Sequence, residues 1–316
     1  MLKIFDDSHL FRSQRKSIFD GICKYIVELK KGDDNTIIYT SDLLPVRGLL
    51  FNRWIYYVTL SLILIFRNKY TIVFPFLYAP FGIWKKYRIV VHDMRYYDSG
   101  EKSISLTLKK IFIELSFKMA DRIICISNFT RDRFFFHFSS IRLTDKVRVI
   151  YNPFVFLNIN TPLKKDIAIY IGHIEKRKNI VGLLEFIKIN ADYEFFIIGY
   201  NKMGKYFLDA IIPLKNIKYF SNISEDKKYS ILKEAKYFIN LSHYEGFSYT
   251  PMEALQYNLN LMLSDIPVHQ EIYKDYAIFP SDNFKLSEYK FENVELTESF
   301  KNNFTPSIYQ NKIFEL

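Results

Sequence analysis

Glycine is scarce in this chain, ten in 316 residues. The glycine at the first strand-to-helix junction, Gly21, stands alone and not in a G-x-G-x-x-G fingerprint. No Walker A segment is present, which excludes a P-loop nucleotide site. No Asp-x-Asp pair occurs, so a divalent metal on a nucleotide diphosphate has no obvious ligand set. The two cysteines, Cys23 and Cys125, are far apart and form no metal or redox motif, which fits a reduced, cytoplasmic setting. The most apolar run, WIYYVTLSLILIF at 54–66, is too short to cross a bilayer. Bracketed by Arg53 and Arg67, it predicts a buried core helix. The opening MLKIFDDSHLF places acids where a signal peptide needs an apolar core, so no secretion signal is expected.

What is present is apolar and aromatic. A hydrophobic content of 49% with 18% aromatics excludes disorder. The length suits two domains of about 150 residues. The net charge of +10 is uneven. Residues 1–160 hold 25 Lys and Arg against 14 Asp and Glu, whereas residues 161–316 hold 19 against 20. The basic excess therefore belongs to the first half. It points to a polyanionic partner, nucleic acid or an anionic membrane face, with a soluble basic domain as the alternative. No RNA- or DNA-binding motif accompanies the charge, so nucleic acid is not an expected partner.

Strand-like and helix-like segments alternate throughout. In the first half the strand runs are LKIFD (2–6), TIVF (71–74), YRIVV (87–91), RIICIS (122–127) and VRVIYNP (147–153). The longest helical pattern between them covers 103–119. FLNINTPLKKD (156–166) is polar, Pro-bearing and non-periodic, and reads as a linker. Beyond it come IAIYIG, FFIIG, IKYF, YFINLS, LNLML and YAIF, again separated by helical segments. The alternation predicts an α/β fold of two doubly wound Rossmann-like domains, 1–157 and 158–316, facing a central cleft.

The chemistry is concentrated in NLSHYEGFSYTPME, Asn240 to Glu253. Glu245 and Glu253 flank Gly246, a short polar turn and Pro251. Such a loop lies at the carboxyl ends of the strands, where ligands bind, and the helix after it offers unpaired N–H groups to an anionic or hydroxyl-rich ligand. Both glutamates can face one pocket. The alternative is that Glu253 complements the helix dipole and Glu245 is a solvated loop residue. The loop GHIEKRKNI (172–180) puts His173, Arg177 and Lys178 between a strand and a helix. It reads as a diphosphate site in which protein cations do the neutralising, or as a solvated basic loop. In the first half, YRIVV delivers His92 and Asp93 to a strand end, suited to a residue that contacts a reacting centre, or to a structural His. Ser127 ends the next strand.

The order YIGHIEKRKN, FFIIGYNKMG and ILKEAKYFINLSHYEGFSYTPMEALQYNLNLMLSDIPVHQEI resembles the C-terminal domain of the GT-B retaining glycosyltransferases of family 4. DGICKY, VVHDM and ADRIICISNFT stand in the same family's order upstream. The resemblance implies transfer of a sugar from a nucleotide-sugar donor to an acceptor hydroxyl, with retained configuration and neither metal nor other cofactor. It implies that Glu245 binds hydroxyls of the donor sugar, helped by the amides of Gly246, Phe247 and Ser248, and that Glu253 takes the ribose hydroxyls. Arg177 and Lys178 would neutralise the leaving diphosphate, with His173 a partial ligand. His92 would reach the reaction centre from the first domain. Gly21 would open the loop facing diphosphate and acceptor, and Ser127 is a further candidate.

Four departures stand out. His173 replaces the Arg of many members. Asn258 stands where many have Gly, as a residue able to form the same left-handed cap. NPF (152–154) replaces Asn-Gly. The tail SIYQNKIFEL leaves little for a helix returning to the first domain. The expectation is a cytoplasmic transferase, peripheral on the inner membrane face, that moves a hexose to a glycan or lipid-linked acceptor in surface polysaccharide synthesis. The alternative is a non-catalytic GT-B module that binds a nucleotide-sugar or a partner protein. A phosphorylase or sugar epimerase on the same fold is the other enzymatic reading.

Overall fold

The computed structural model describes residues 2–10, 21–32, 36–44, 53–67, 69–80, 82, 84–98, 104–141, 145–159 and 163–315. The basic stretch 11–20 and residues 160–162 of the expected linker lie outside them. The chain forms two compact units, Met1–Val155 with Ser299–Leu316, and Phe156–Glu298. The expected boundary falls two residues from the observed one, but residues 299–316 belong with the first unit, not the second.

In the first unit, strands β1 (Leu2–Phe5), β2 (Ile37–Tyr39), β3 (Tyr70–Phe74), β4 (Tyr87–Val91), β5 (Arg122–Cys125) and β6 (Val147–Val149) form one parallel sheet. Its order is β2-β1-β3-β4-β5-β6. β3 and β4 are buried along their whole length, as expected of apolar runs covered on both faces. β2 was not expected, because a strand of three residues shows no alternation. The helices are α1 (Gly21–Lys30), α2 (Arg53–Ile65), α3 (Ile104–Met119) and α4 (Asn128–His137). Right-handed crossovers put α2, α3 and α4 on one face of the sheet and α1 on the other. The core confirms the layering: Tyr56, Leu60 and Leu64 of α2, Phe117 of α3 and Phe134 of α4 pack together with Ile72, Ile89 and Ile123 of the strands. The apolar run 54–66 is therefore only half a core helix. Its other stripe, including Ile55, Val58 and Leu62, is exposed.

In the second unit, β7 (Lys165–Ile171), β8 (Glu194–Ile198), β9 (Ile217–Phe220), β10 (Ala235–Asn240), β11 (Asn260–Leu263) and β12 (Ala277–Ile278) form a second parallel sheet, ordered β12-β11-β10-β7-β8-β9. Between them run α5 (Ile180–Ile189), α6 (Lys205–Ile211), α7 (Glu225–Glu234), α8 (Tyr249–Gln256) and α9 (Pro267–Tyr273). Local signals set their ends. Asn179, at φ 52°, caps α5 by accepting from the Gly182 amide at 3.1 Å. Ser224 caps α7, accepting from the Lys227 amide at 3.2 Å. Asn258 adopts the left-handed conformation after α8, at φ 57°, as expected of its place at the helix end.

The chain then returns to the first unit. Helix α10 (Pro306–Glu315) packs on α1, against the expectation that the tail is too short to return. The Tyr25 and Tyr309 hydroxyls meet at 2.5 Å, and the Gln310 amide donates to the Leu29 carbonyl at 2.9 Å. The buried Arg88 guanidinium donates to the Ile313 carbonyl.

One glycine has no tolerance for a side chain. At Gly199, φ 152°, a Cβ would lie 1.8 Å from the Gly172 carbonyl oxygen. This close approach sets the loop after β7 against the end of β8, where the Ile174 amide also donates to the Tyr200 carbonyl at 2.9 Å. Gly199→Ala is expected to destabilise the protein by about 2–4 kcal/mol, since backbone must move on both sides of the contact. Urea denaturation of the variant and the parent checks it; coincident midpoints would show that the approach is not obligatory.

Candidate functional site

The second sheet reverses direction between β7 and β10. β7 leads outward to β8 and β9, and the chain then crosses back to β10, β11 and β12. In open α/β sheets a ligand crevice forms at the carboxyl ends of the strands at such a reversal. The loops after β7 and β10 are therefore neighbours, and they are joined: the His243 amide donates to the Arg177 carbonyl at 3.0 Å, and Arg177 Nη1 donates to the Tyr244 carbonyl at 2.9 Å.

Glu245 stands at the centre of this junction, buried. Its Oε1 accepts from Lys178 Nζ and from Ser242 Oγ, the latter at 2.8 Å. Its Oε2 accepts from Arg177 Nη1 at 3.1 Å. Burial alone would push this carboxyl up, but Lys178 and Arg177 beside it hold it down at about 2. Arg177 also pairs with Glu175 at 2.6 Å, and Glu175 with Lys202 at 3.1 Å. Five alternating charges thus run Lys202–Glu175–Arg177–Glu245–Lys178, with one positive charge in excess. A carboxylate has about four acceptor positions. Three on Glu245 are occupied, which leaves capacity for a ligand hydroxyl, while an anion using Arg177 and Lys178 must share them with Glu245.

The rest of the β10 loop is held by its own side chains. Asn240 Oδ1 accepts from the Ser242 amide at 3.1 Å and lies 2.5 Å from Ser242 Oγ, sharing that hydroxyl's single proton with Glu245, and Asn240 Nδ2 donates to Ser248 Oγ at 3.0 Å. Ser248 is left-handed, φ 67°, and its carbonyl accepts from the Tyr273 hydroxyl at 2.5 Å. Gly246 lies on this loop, and Phe247 is buried with its ring 5.1 Å from that of Tyr249. Glu253, on α8, is buried and reaches Lys228 of α7 at 3.5 Å, a partner that Glu245 does not share.

The expected cations are two rather than three. Burial, with Lys202, Lys178 and Arg177 nearby, holds His173 below its ordinary range, so it is neutral at pH 7. Its backbone carbonyl accepts from the Tyr170 hydroxyl at 2.9 Å. Lys202 joins the group instead. Neither Lys202 nor Glu175, Ser242 or His269 was legible as a site residue. Each is an ordinary polar residue in sequence, and only the β7–β10 adjacency gathers them.

His269, on α9, is fully buried. Its Nδ1 donates to the Ser264 carbonyl at 3.0 Å, which assigns the proton to Nδ1. Ser264 Oγ in turn donates to the Ser242 carbonyl at 2.6 Å, so His269 supports the turn that orients Glu245. Burial pulls the imidazole down to about 4, with Glu245 opposing in part.

Three expected site residues belong to the first unit. His92 follows β4, with its ring edge-on to Tyr25 at 4.9 Å. Ser127 caps α4: its Oγ accepts from the Thr130 amide at 3.0 Å, and it is fully buried. This is a structural role that the sequence reading did not separate from a ligand role. Gly21 is the first residue of α1, exposed, with open space where a Cβ would stand. Among the described residues, the reversal in the first sheet, between β1 and β3, carries two buried aspartates. Asp6 accepts from the Tyr57 hydroxyl at 2.7 Å and Asp7 from Lys30 at 2.6 Å, both aspartates being fully buried.

The charged cluster at the strand reversal of this doubly wound unit is its candidate site, and the comparisons bear on what it resembles. Residues 156–306 match the family model Glycosyl transferases group 1. It is similar to the O-antigen chain mannosyltransferase RfbU of Salmonella typhimurium, 23% identical over 273 residues, which are 83% of this chain and 75% of that protein. It is also similar to the capsular polysaccharide biosynthesis glycosyltransferase CapH of Staphylococcus aureus, 30% identical over 164 residues, 48% of this chain and 43% of that protein. Among solved structures, the lipopolysaccharide outer core galactosyltransferase WaaB has a TM-score of 0.62 at 13% identity, covering 99% of both chains. That likeness identifies the fold as GT-B, two parallel-sheet α/β domains of six strands each.

The buried ionisable groups set an acid limit. The folded-state values of His269, about 4, and Glu245, about 2, both lie below their ordinary ones. The unfolded chain therefore takes up protons first, and stability falls with pH. The His269 contribution is complete above about pH 6.5 and is lost on descending to about pH 4, a loss of up to about 3 kcal/mol. That of Glu245 follows between about pH 4.5 and 2. His269→Asn keeps a donor at the Nδ1 position but cannot charge. Its unfolding free energy is expected to be flatter than the parent's between pH 6.5 and 4, as measured by urea denaturation.

Proposed function

We propose that this protein is a retaining, metal-independent glycosyltransferase. It moves a hexose from a nucleotide-diphosphate sugar to a hydroxyl of a glycan or lipid-linked acceptor in surface polysaccharide synthesis. The observation that carries the reading is the set Arg177, Lys178 and Glu245 at the β7–β10 reversal, inside the stretch that matches the family. RfbU and CapH, acting on O-antigen and capsule, support the pathway class.

The roles follow from charge. The bond between the anomeric carbon and the diphosphate breaks, its electrons leave on a phosphate oxygen, and the acceptor oxygen forms the new bond while its proton passes to the departing phosphate. Arg177 and Lys178 stabilise the charge that develops on that phosphate, the task a metal performs elsewhere. Glu245 accepts from a sugar hydroxyl with its remaining capacity, and the amides of Gly246, Phe247 and Ser248 hold the same sugar. Glu253 takes the ribose hydroxyls. His173, neutral, serves as a hydrogen-bonding and not a charged ligand of the diphosphate. His92 reaches the reacting centre, and Gly21 leaves room for diphosphate and acceptor. The protein works on the inner face of the cell membrane, where its basic first unit meets anionic lipid.

A thermal-shift screen with UDP, GDP, ADP, CMP and dTDP tests the donor site. One diphosphate is expected to raise the melting temperature by about 5 °C at a hundredfold excess over its dissociation constant. The shift should survive EDTA and be absent in Glu253→Ala and Lys178→Met. Proton NMR of the product then reads the anomeric configuration. Folded protein that responds to no nucleotide would favour the non-catalytic module, and a shift abolished by EDTA would overturn metal independence.

A further inference from the structure

We propose that the outer face of α2 and α3 in the first unit docks on an anionic lipid bilayer, with Phe66 and Met119 inserted among the headgroups. This rests on the reading above for its purpose, a lipid-linked acceptor, and it assigns the docking to particular side chains.

The observation is an imbalance in exposed apolar surface. The first sheet is covered on one face by α1 and α10, and on the other by α2, α3 and α4. Every large apolar side chain left exposed among the described residues of this unit lies on the second of these layers or at its helix ends. Along α2, Ile55, Val58, Leu62 and then Phe66 recur at helical spacing, on the side away from the core stripe of Tyr56, Leu60 and Leu64. Along α3, Leu108, Ile111, Leu115 and Met119 do the same, opposite Ile113 and Phe117. Phe66 is 87% exposed and Met119 73%. Both helices thus carry two apolar faces, of which the sheet buries one. The stripes cannot belong to the unit's own core, because the helix layer already separates them from it. A monomeric protein in water rarely keeps such a surface.

Charge selects the occupant. Phe66 and Met119 end their helices at the amino-terminal side of the sheet, beside the starts of β3, β4, β5 and β6. Arg67, Lys69, Lys85, Lys86, Lys118 and Lys146 lie at these helix and strand ends, with Asp121, which pairs with Lys86 at 3.3 Å, and Asp145. Lys85 Nζ donates to the Arg67 carbonyl at 3.0 Å and Lys146 Nζ to the Lys118 carbonyl at 2.9 Å, so these ammonium groups are anchored at the helix ends. An apolar stripe with a cationic rim matches the acyl boundary and anionic headgroups of a bilayer. A second copy of this chain would bring rim against rim, with repulsion. Nucleic acid would satisfy the lysines and leave the Leu, Ile and Phe stripes wet. No helix among the described residues is long and apolar enough to cross a membrane, so the contact lies in the interface plane. The rim is at the end of the sheet opposite His92, so docking leaves the carboxyl ends of the strands unobstructed.

The test is flotation of the full chain with vesicles of phosphatidylcholine, with and without about one third phosphatidylglycerol. Retention is expected on the anionic vesicles alone, and it should fall at about 0.5 M salt as screening shortens the range of the cations. The double variant Phe66→Glu/Met119→Glu is expected to lose about tenfold or more in binding, and Arg67→Gln/Lys69→Gln about fivefold per charge removed. Both should keep the parent's melting temperature and its response to nucleotide. Phe66→Trp should show a blue-shifted emission on anionic vesicles. Equal retention on neutral vesicles, or retention unchanged in the double variants, would overturn the proposal. So would a concentration-dependent dimer in sedimentation velocity that the Glu variant abolishes. None of these readouts uses the donor, so failure here is separable from failure of the transferase reading.

Discussion

A buried carboxylate held between a guanidinium and an ammonium shapes the second unit's functional end. Arg177 and Lys178 are adjacent in sequence and drawn into one poorly solvated corner, where two cations alone would repel and lose hydration. Glu245 answers both, and Ser242 fixes the carboxylate's remaining direction. Around that contact the loops after β7 and β10 exchange main-chain and side-chain hydrogen bonds, and the left-handed Ser248 is pinned from Asn240 and Tyr273. The arrangement is preorganised: the cations need no partner from elsewhere to stay in position.

The two units use one topology, and the described residues at their strand reversals differ in charge. Each sheet reverses beside its first strand. At the first reversal two aspartates are buried and accept from Tyr57, Thr40, Ser41 and Lys30. At the second, the charges alternate in a chain that ends in the exposed Lys202 with one cation in excess. A shared architecture thus does not divide the chemistry equally. The described strand ends of the second unit carry one cation in excess, while the two aspartates at those of the first are answered by neighbouring hydroxyls and Lys30.

Much of this was legible in the sequence, and the exceptions have physical causes. Apolar runs four to seven residues long, separated by helical periodicity, are a strong signal for parallel strands, and the two sheets follow from it. The identities of Glu245, Arg177 and Lys178 were legible too, but their mutual contact was not, because sequence spacing carries no information on β7 lying beside β10. β2 was too short to show a period. The run 54–66 has apolar residues at nearly every position, so no period could reveal that one of its stripes stays exposed. Ser127 and Ser224 look alike in sequence as helix starts, and only the hydrogen bond to Thr130 shows that Ser127 spends its hydroxyl on a cap.

The return of α10 to the first unit makes the second unit an insertion. The chain leaves at Val155 and re-enters at Ser299, and the two crossings are stitched where the Phe154 amide donates to the Phe304 carbonyl at 2.7 Å. During synthesis the first unit is made first but cannot be finished first. Tyr25, the Leu29 carbonyl and the buried Arg88 await partners that lie more than three hundred residues after the opening strand. The inserted unit, whose sheet is built from a continuous stretch of chain, can complete itself while the flanking one still waits. The first unit therefore closes only when the last helix of the chain has been made.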